Sequence, residues 1–263
     1  VPRLVPEDAL SSANGRTQAA EWTANELVGP PLGGFLFAAA AAAPFFLNGG
    51  AFIAAALLIT LIPGVYASSR VDSPRTSLRK EIGEGIRWLW QHRVLRALSL
   101  TAGTANLMGT AMFAVFVLFA QDVLDVGDVG FGIILAAAGV GGIIGAAIAH
   151  RVEESLGTAT VLLGSMGGIG IAALAIALTN SPIVVGLAFA LDGFLIAMWN
   201  VVVVSLRQAL TPDELRGRVA SDARTIAFGA IPIGALLGGI LADRVGLRAP
   251  FVLAALVYAV AVL

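Results

Sequence analysis

Eight apolar stretches of about the length that crosses a bilayer leave this chain few folds to choose from. They run approximately Ala20–Ala43, Pro44–Tyr66, Val94–Gln121, Gly130–Ala149, Thr158–Leu178, Pro182–Leu206, Ala223–Leu241 and Ala249–Leu263. A helix needs roughly 20 apolar residues to span the hydrocarbon, and most of the stretches have about that many. In lipid the backbone must satisfy its own hydrogen bonds, so only helices or closed barrels span, and runs this long are not barrel strands. Only 13% of the 263 residues are charged, against about a quarter in soluble domains. The expected fold class is therefore an all-α, polytopic membrane protein. A net charge of −1 excludes a nucleic-acid footprint. The absence of cysteine excludes disulfides, thiol catalysis and Cys-ligated metal. The two histidines, His92 and His150, sit at loop edges far apart and read as interfacial residues rather than ligands. No cofactor or metal is implied.

Basic residues set the expected orientation. Arg3 and Arg16 precede the first stretch; Arg70, Arg75, Arg79, Lys80, Arg87, Arg93 and Arg96 lie between the second and third. Arg151 follows the fourth, and Arg207, Arg216, Arg218 and Arg224 lie between the sixth and seventh. All of these fall on one side, which marks that side as cytoplasmic. The other side carries Asp122, Asp125 and Asp128, with Arg244 and Arg248 as the exceptions. Both chain ends are then expected in the cytoplasm.

An internal repeat runs through the chain. Leu4-Val-Pro6-Glu7-Asp8 echoes Leu210-Thr-Pro212-Asp213-Glu214, Leu32-Gly33-Gly34 echoes Leu237-Gly238-Gly239, and Ala43-Pro44-Phe45 echoes Ala249-Pro250-Phe251, at offsets of about 206. The second copy follows four spans after the basic linker, so the first copy is expected to follow four spans as well. This phase predicts that the sequence holds helices five to twelve of a twelve-helix unit, with the last helix cut short. Residues 1–66 are then the last two helices of an N-terminal half, 67–93 a cytoplasmic linker and 94–263 the C-terminal half. Within the linker Leu78, Ile82, Ile86 and Leu89 recur at helical spacing, as in a helix lying in the interface.

The stretch Asn25 to Gly34 reads NELVGPPLGG, and Trp199 to Arg218 reads WNVVVVSLRQALTPDELRGR. The first resembles the antiporter motif in the fifth helix of drug exporters of the major facilitator superfamily, carried here by Asn25, Gly29, Pro30, Gly33 and Gly34. Asn25 stands where that motif usually has a small residue. The second stretch, followed by Ile231-Pro232-Ile233-Gly234 and Leu237-Gly238-Gly239, resembles the tenth-to-eleventh helix region of the siderophore and macrolide exporters of that superfamily. Between the fourth and fifth stretches, Gly145-Ala-Ala-Ile-Ala-His150-Arg151 lacks the aspartate of the related loop signature. The resemblance implies the major facilitator fold, built of parallel six-helix repeats, eight of an expected twelve helices being present.

Charged and amide side chains inside spans are the candidate site, because each charge costs roughly 2.5–3.5 kcal/mol or more at the bilayer centre. Asp192 lies ten residues into its helix, about 15 Å deep and close to the midplane. It is expected to bind a proton or a cationic substrate, with Asn106 and Asn200 as polar contacts; a protonated, hydrogen-bonded structural aspartate is the alternative. Glu26 is shallower and either lines the path or pairs with an arginine. Around Pro212 the chain reads as a helix start, with Thr211 as N-cap and Glu214 at N3. Asp213, Arg216 and Arg218 beside it are candidates for a cytoplasmic gate. Gly141-xxx-Gly145 and Gly164-xxx-Gly168 are expected close-packing strips in adjacent spans. Gly168-Ile-Gly170-Ile-Ala-Ala173 formally matches a dinucleotide fingerprint, but no strand precedes it and it is mid-membrane.

The expected function is secondary active transport by alternating access, with a small amphipathic compound leaving and protons entering. The protein would act as a monomer in a bacterial inner membrane. Uptake or lipid flipping on the same fold is an alternative. A membrane-embedded enzyme or a non-transporting scaffold is another, although no nucleophile–base pair or metal-ligand spacing appears in any span.

Overall fold

The computed structural model describes residues 42–60, 86–212 and 216–262, with the isolated positions 29, 36 and 40 before them. Its regular structure there is entirely α-helical. Helix α1, Ala43–Thr60, belongs to one compact unit, Val1–Pro74. The second unit, Arg75–Leu263, holds α2 (Arg93–Asp122), α3 (Asp128–Leu156), α4 (Thr158–Leu178), α5 (Pro182–Leu210), α6 (Arg216–Arg244) and α7 (Ala249–Val262). Helices α1 to α6 are long and apolar enough to cross a membrane, and α7 is shorter. The expected span Ala20–Ala43 lies almost wholly outside the described residues.

Four of the helices outrun the apolar stretches that announced them. Helix α3 continues through His150, Arg151 and Glu153 to Leu156, and α6 begins seven residues before Ala223. Hydropathy marks where lipid surrounds a helix, whereas the hydrogen-bond ladder carries on into the polar ends. The two Ala-Pro-Phe copies each open a helix, α1 at Ala43 and α7 at Ala249. A first-turn proline forfeits no intrahelical bond, so the motif is a helix start in both places.

Connections are tight. Between α3 and α4 one residue, Gly157, turns the chain at φ 81° and ψ 149°, a conformation that side chains rarely enter. The Thr158 hydroxyl then donates to Glu153 Oε1 at 2.8 Å. Between α2 and α3 Asp125 takes a left-handed φ of 53°, which a short polar side chain tolerates.

The second unit packs as three close pairs, α2 with α6, α3 with α5 and α4 with α7; α4 also meets α5, and α7 meets α2. Shifting every helix three places along maps these pairs onto themselves. Glycine makes two of the pairs close. A Cβ at Gly141 or Gly145 of α3 would overlap the carbonyls of Ala190 and Phe194 on α5, and one at Gly193 would overlap the Ala138 carbonyl. Under the three-helix shift, Gly234 and Gly238 of α6 lie in the same way on the carbonyls of Leu107 and Ala111 of α2. Small residues four apart let backbones touch where lipid provides no hydrophobic drive between helices. The expected Gly164–Gly168 strip is different. A Cβ at Gly164 would meet open space, and one at Gly168 would meet only the flexible end of Leu195. The Gly141–Gly145 strip serves α5 rather than its sequence neighbour α4.

Two large apolar clusters, and a smaller one of Ala149, Val161, Met198 and Val202, fill the interior. One gathers Leu95, Leu98, Met108, Ile169, Trp199, Val203 and Val219 toward the basic end, where α2, α4 and α6 begin. Leu89, in the helical segment 86–91, is fully buried in it. The other gathers Val115, Phe116, Phe119, Ile134, Ile176, Val185 and Phe251 toward the opposite end. There the Phe116 ring stands 4.3 Å from that of Phe189, and the Phe119 ring 5.0 Å from that of Phe251, distances at which aromatic pairs attract.

Candidate functional site

Polar side chains lie inside the bundle near the level where the two larger apolar clusters join. Asp192 stands on α5 between Ala188 of the one cluster and Trp199 of the other, and is half-buried. Gly193 and Gly141 hold its helix against α3 on one side. Asp192 lies nearly opposite Ala190 and Phe194 around the helix, so its carboxyl points away from α3. On α7, Tyr258 is 2% exposed and lies within electrostatic reach of Asp192. Its hydroxyl donates to the Ala105 carbonyl of α2 at 3.3 Å. The next residue, Asn106, donates from Nδ2 to the Ala227 carbonyl of α6 at 3.1 Å. Successive residues of α2 are thus bonded to α7 and to α6. A buried donor without such a partner costs about 1–3 kcal/mol.

Asn200 is exposed on α5, two turns beyond Asp192 and some 80° around the helix from it. The structure therefore connects Asp192 with Asn106 indirectly, through Tyr258 and Ala105, and leaves Asn200 on the bundle surface. Glu26, Asn25, Pro30, Gly33 and Gly34 lie outside the described residues; Gly29 is helical and exposed. Asp213 is also outside them, and Arg216 and Arg218 occupy the first turn of α6. Thr211 ends α5, its hydroxyl donating to the Arg207 carbonyl at 2.7 Å. The first turn expected after it, 213–215, lies outside the described residues. Arg207 is part of α5 rather than of a loop, and lies within electrostatic reach of Arg224 on α6.

Tyr258, Asp222 and Ser99 are among the polar residues that escaped the sequence reading. Tyr258 resembles any other core aromatic in a run such as AALVYAVAV. Asp222 sits one residue before the apolar stretch that began at Ala223, yet it lies inside α6 and is 7% exposed. Ser99 on α2 is 1% exposed. The helix start read at Pro212 already runs a helix through Asp222, so that signal was present, although the apolar span was drawn only from Ala223.

Arg248, an exception to the charge asymmetry, proves to be a staple. Its guanidinium donates to the Ala177 carbonyl in the last turn of α4 and to Asn180 Oδ1, and lies 5.9 Å from the Phe119 ring centroid. Helix ends leave carbonyls unpaired and carry partial negative charge, which a cation satisfies. His150 lies 3.3 Å from Glu154 one turn on, both well exposed, as suits an interfacial histidine. Among the described residues no cluster of His, Asp or Glu could hold a metal.

A family described as transmembrane secretion effector matches residues 1–263. The multidrug efflux pump Tap of Mycolicibacterium fortuitum is 29% identical over 261 residues, covering 94% of this chain and 62% of that protein. Tap of Mycobacterium tuberculosis is 30% identical over 247 residues, 88% of this chain and 55% of that one. Macrolide efflux protein A of Streptococcus pyogenes is 25% identical over 258 residues, 96% and 63% of the two chains. The chain therefore spans between 55% and 63% of the length of these relatives.

Proposed function

The chain belongs to the transmembrane secretion effector family of major facilitator transporters, and on that basis we propose that it moves small amphipathic compounds out of the cell in exchange for protons. Likeness to multidrug and macrolide efflux proteins supports the direction and the substrate class. The observation that carries proton coupling is Asp192, a carboxyl on a mid-span helix face turned into the bundle. A charge there costs several kcal/mol unless it is neutralised, so proton binding and release at Asp192 change the energy of the surrounding helices. Tyr258 lies within electrostatic reach of it and bonds α2, and Asn106 extends the polar level to α6. Alternating access is then the rocking of one six-helix half against the other. The basic end faces the cytoplasm. The protein acts as a monomer.

The test uses the full-length protein in everted membrane vesicles with an imposed proton gradient. Dye-reported proton leakage is followed on adding lipophilic drugs, macrolides and siderophores, in wild type and Asp192→Asn. Substrate-triggered leakage that the variant loses supports the reading. Leakage undiminished in the variant removes Asp192 from coupling, and no leakage with any compound overturns proton-coupled export.

A further inference from the structure

We propose that the half of α6 before Pro232 is a hinged arm at the basic end of the bundle, latched to α2 by the Asn106 amide on the Ala227 carbonyl. Among the described residues Pro232 is the one proline that stands past the first turn of a helix, near the middle of the 29 residues of α6. It brings no N–H to the ladder, so the carbonyl of Phe228 loses its intrahelical donor, and the ring presses on that same carbonyl. Kinks of more than about 20° arise at such gaps. Helix α3 takes the place of α6 in the other glycine seam under the three-helix shift. It contains no proline, so its ladder runs unbroken and it has no such arm.

Helix α2 holds the two sides of the gap differently. Beyond Pro232 the backbones interlock, since a Cβ at Gly234 or Gly238 would overlap the carbonyls of Leu107 and Ala111. Before it, a Cβ at Gly103 would stand an ordinary 3.7 Å from Ile226, and the arm gives Val219 and Ala223 to the apolar cluster there. Side chains packed in this way slide in small steps, whereas interlocked backbones do not. Among the described residues the one hydrogen bond from α2 to the arm is that of Asn106 Nδ2 to the Ala227 carbonyl, at 3.1 Å. It falls on the last intact step of the ladder, Ala227 to Ile231, beside the broken one. At 100° per residue Ala227 lies about 20° from Gly234 around α6, and Pro232 about 160° from it. The latch is thus on the face toward α2 and the proline on the face away. The clash at Pro232 opens the outer face and leans the arm on α2, where Asn106 holds it. Release lets the helix straighten and the arm swing outward.

The arm spans residues 216–231, about 24 Å of helix, and carries Arg216, Arg218 and Arg224. Its swing widens or narrows the basic end while the far end of α6 stays fixed to α2. This deepens the transport reading above and rests on it for the use of the arm. Asn106 then acts by holding a helix rather than by touching substrate.

Distances between spin labels in the full-length protein in liposomes test this. Leu163→Cys on α4 and Ser221→Cys on the arm report the basic end. Leu178→Cys on α4 and Leu236→Cys report α6 beyond the proline. All four positions are exposed. Asn106→Ala is expected to move the first distance by up to about 6 Å, the displacement that a 20° bend produces eleven residues from its pivot, and to leave the second unchanged. Adding Pro232→Ala, which restores the ladder bond, returns the first distance to its wild-type value. Both distances moving together in Asn106→Ala overturns the hinge, because α6 then moves as one rod. A first distance unmoved in Asn106→Ala overturns the latch. A shift that survives Pro232→Ala overturns the proline as pivot. The distances need no substrate, so the arm and the transport reading fail separately: a protein that exports none of the compounds still shows the arm or its absence.

Discussion

The hydroxyl of Tyr258 on α7 donates to the carbonyl of Ala105 on α2, across 3.3 Å and 153 positions of sequence. The bond joins a helix of one three-helix set to a helix of the other, one residue from the Asn106 bond to α6. A helix carbonyl already accepts one bond from its own ladder, so the tyrosine uses its second lone pair.

Tyr258→Phe should lower unfolding stability in mild detergent by about 0.6 kcal/mol, the average found for hydrogen bonds between membrane helices. Tyr258→Ala should cost about 3–5 kcal/mol, since it also empties a buried aromatic site. The Tyr258 Cβ lies 3.0 Å from where a Cβ at Gly170 would stand, so Gly170→Ala should destabilise as well, by strain rather than by loss. Equilibrium unfolding of the three variants separates the effects.

Alanine at Gly141, Gly145, Gly234 or Gly238 should destabilise by about 1–3 kcal/mol each, because the new methyl meets a backbone carbonyl that cannot move aside. Gly164→Ala should be neutral or slightly stabilising, since nothing lies within 4 Å of its Cβ position and alanine is the better helix former. Thermal unfolding of the five single variants checks the contrast. Equal effects at Gly164 and Gly141 would contradict the packing described here.

Arg248→Ala strips the last turn of α4 of its cation and leaves Asn180 and the Ala177 carbonyl to find water. A loss of about 1.5–3 kcal/mol is expected, the range for bonds to a charged group. Arg248→Lys should recover only part of it, since an ammonium cannot reach two acceptors in the fork geometry of a guanidinium. Hydrogen exchange at the end of α4 should rise in the alanine variant ahead of exchange elsewhere.

Gly157→Ala should cost about 1–3 kcal/mol by forcing a side chain into φ 81° and ψ 149°. A Cβ there meets no other atom within 4 Å, so the effect is one of backbone conformation alone. Gly157→Asn should be no better tolerated, because ψ lies outside the left-handed helical region that asparagine visits. Unfolding midpoints of the two variants decide this.

The helical type of the spanning elements, and roughly where the seven described helices lie, were legible in the chain because lipid imposes one rule on every residue in it: a backbone that cannot bond to water must coil. Thr158–Leu178 and the start of α5 at Pro182 could be read to the residue. The family could be read too, since its motifs are local. That Asp192 stands well inside its helix followed from counting residues along the chain. Its neighbours did not follow, because in a bundle of uniformly apolar helices the pattern does not say which face meets which partner. Tertiary packing chose α5 rather than α4 for the Gly141–Gly145 strip, and set Tyr258 on Ala105 within electrostatic reach of Asp192. It turned Arg248 from an apparent anomaly of charge into a helix cap. It also enclosed Asp222, which hydropathy had placed just outside a span, within α6. Hydropathy is a property of single residues summed along the chain, whereas contact between helices depends on backbones close enough to touch, and that depends on glycines paired across helices far apart in sequence.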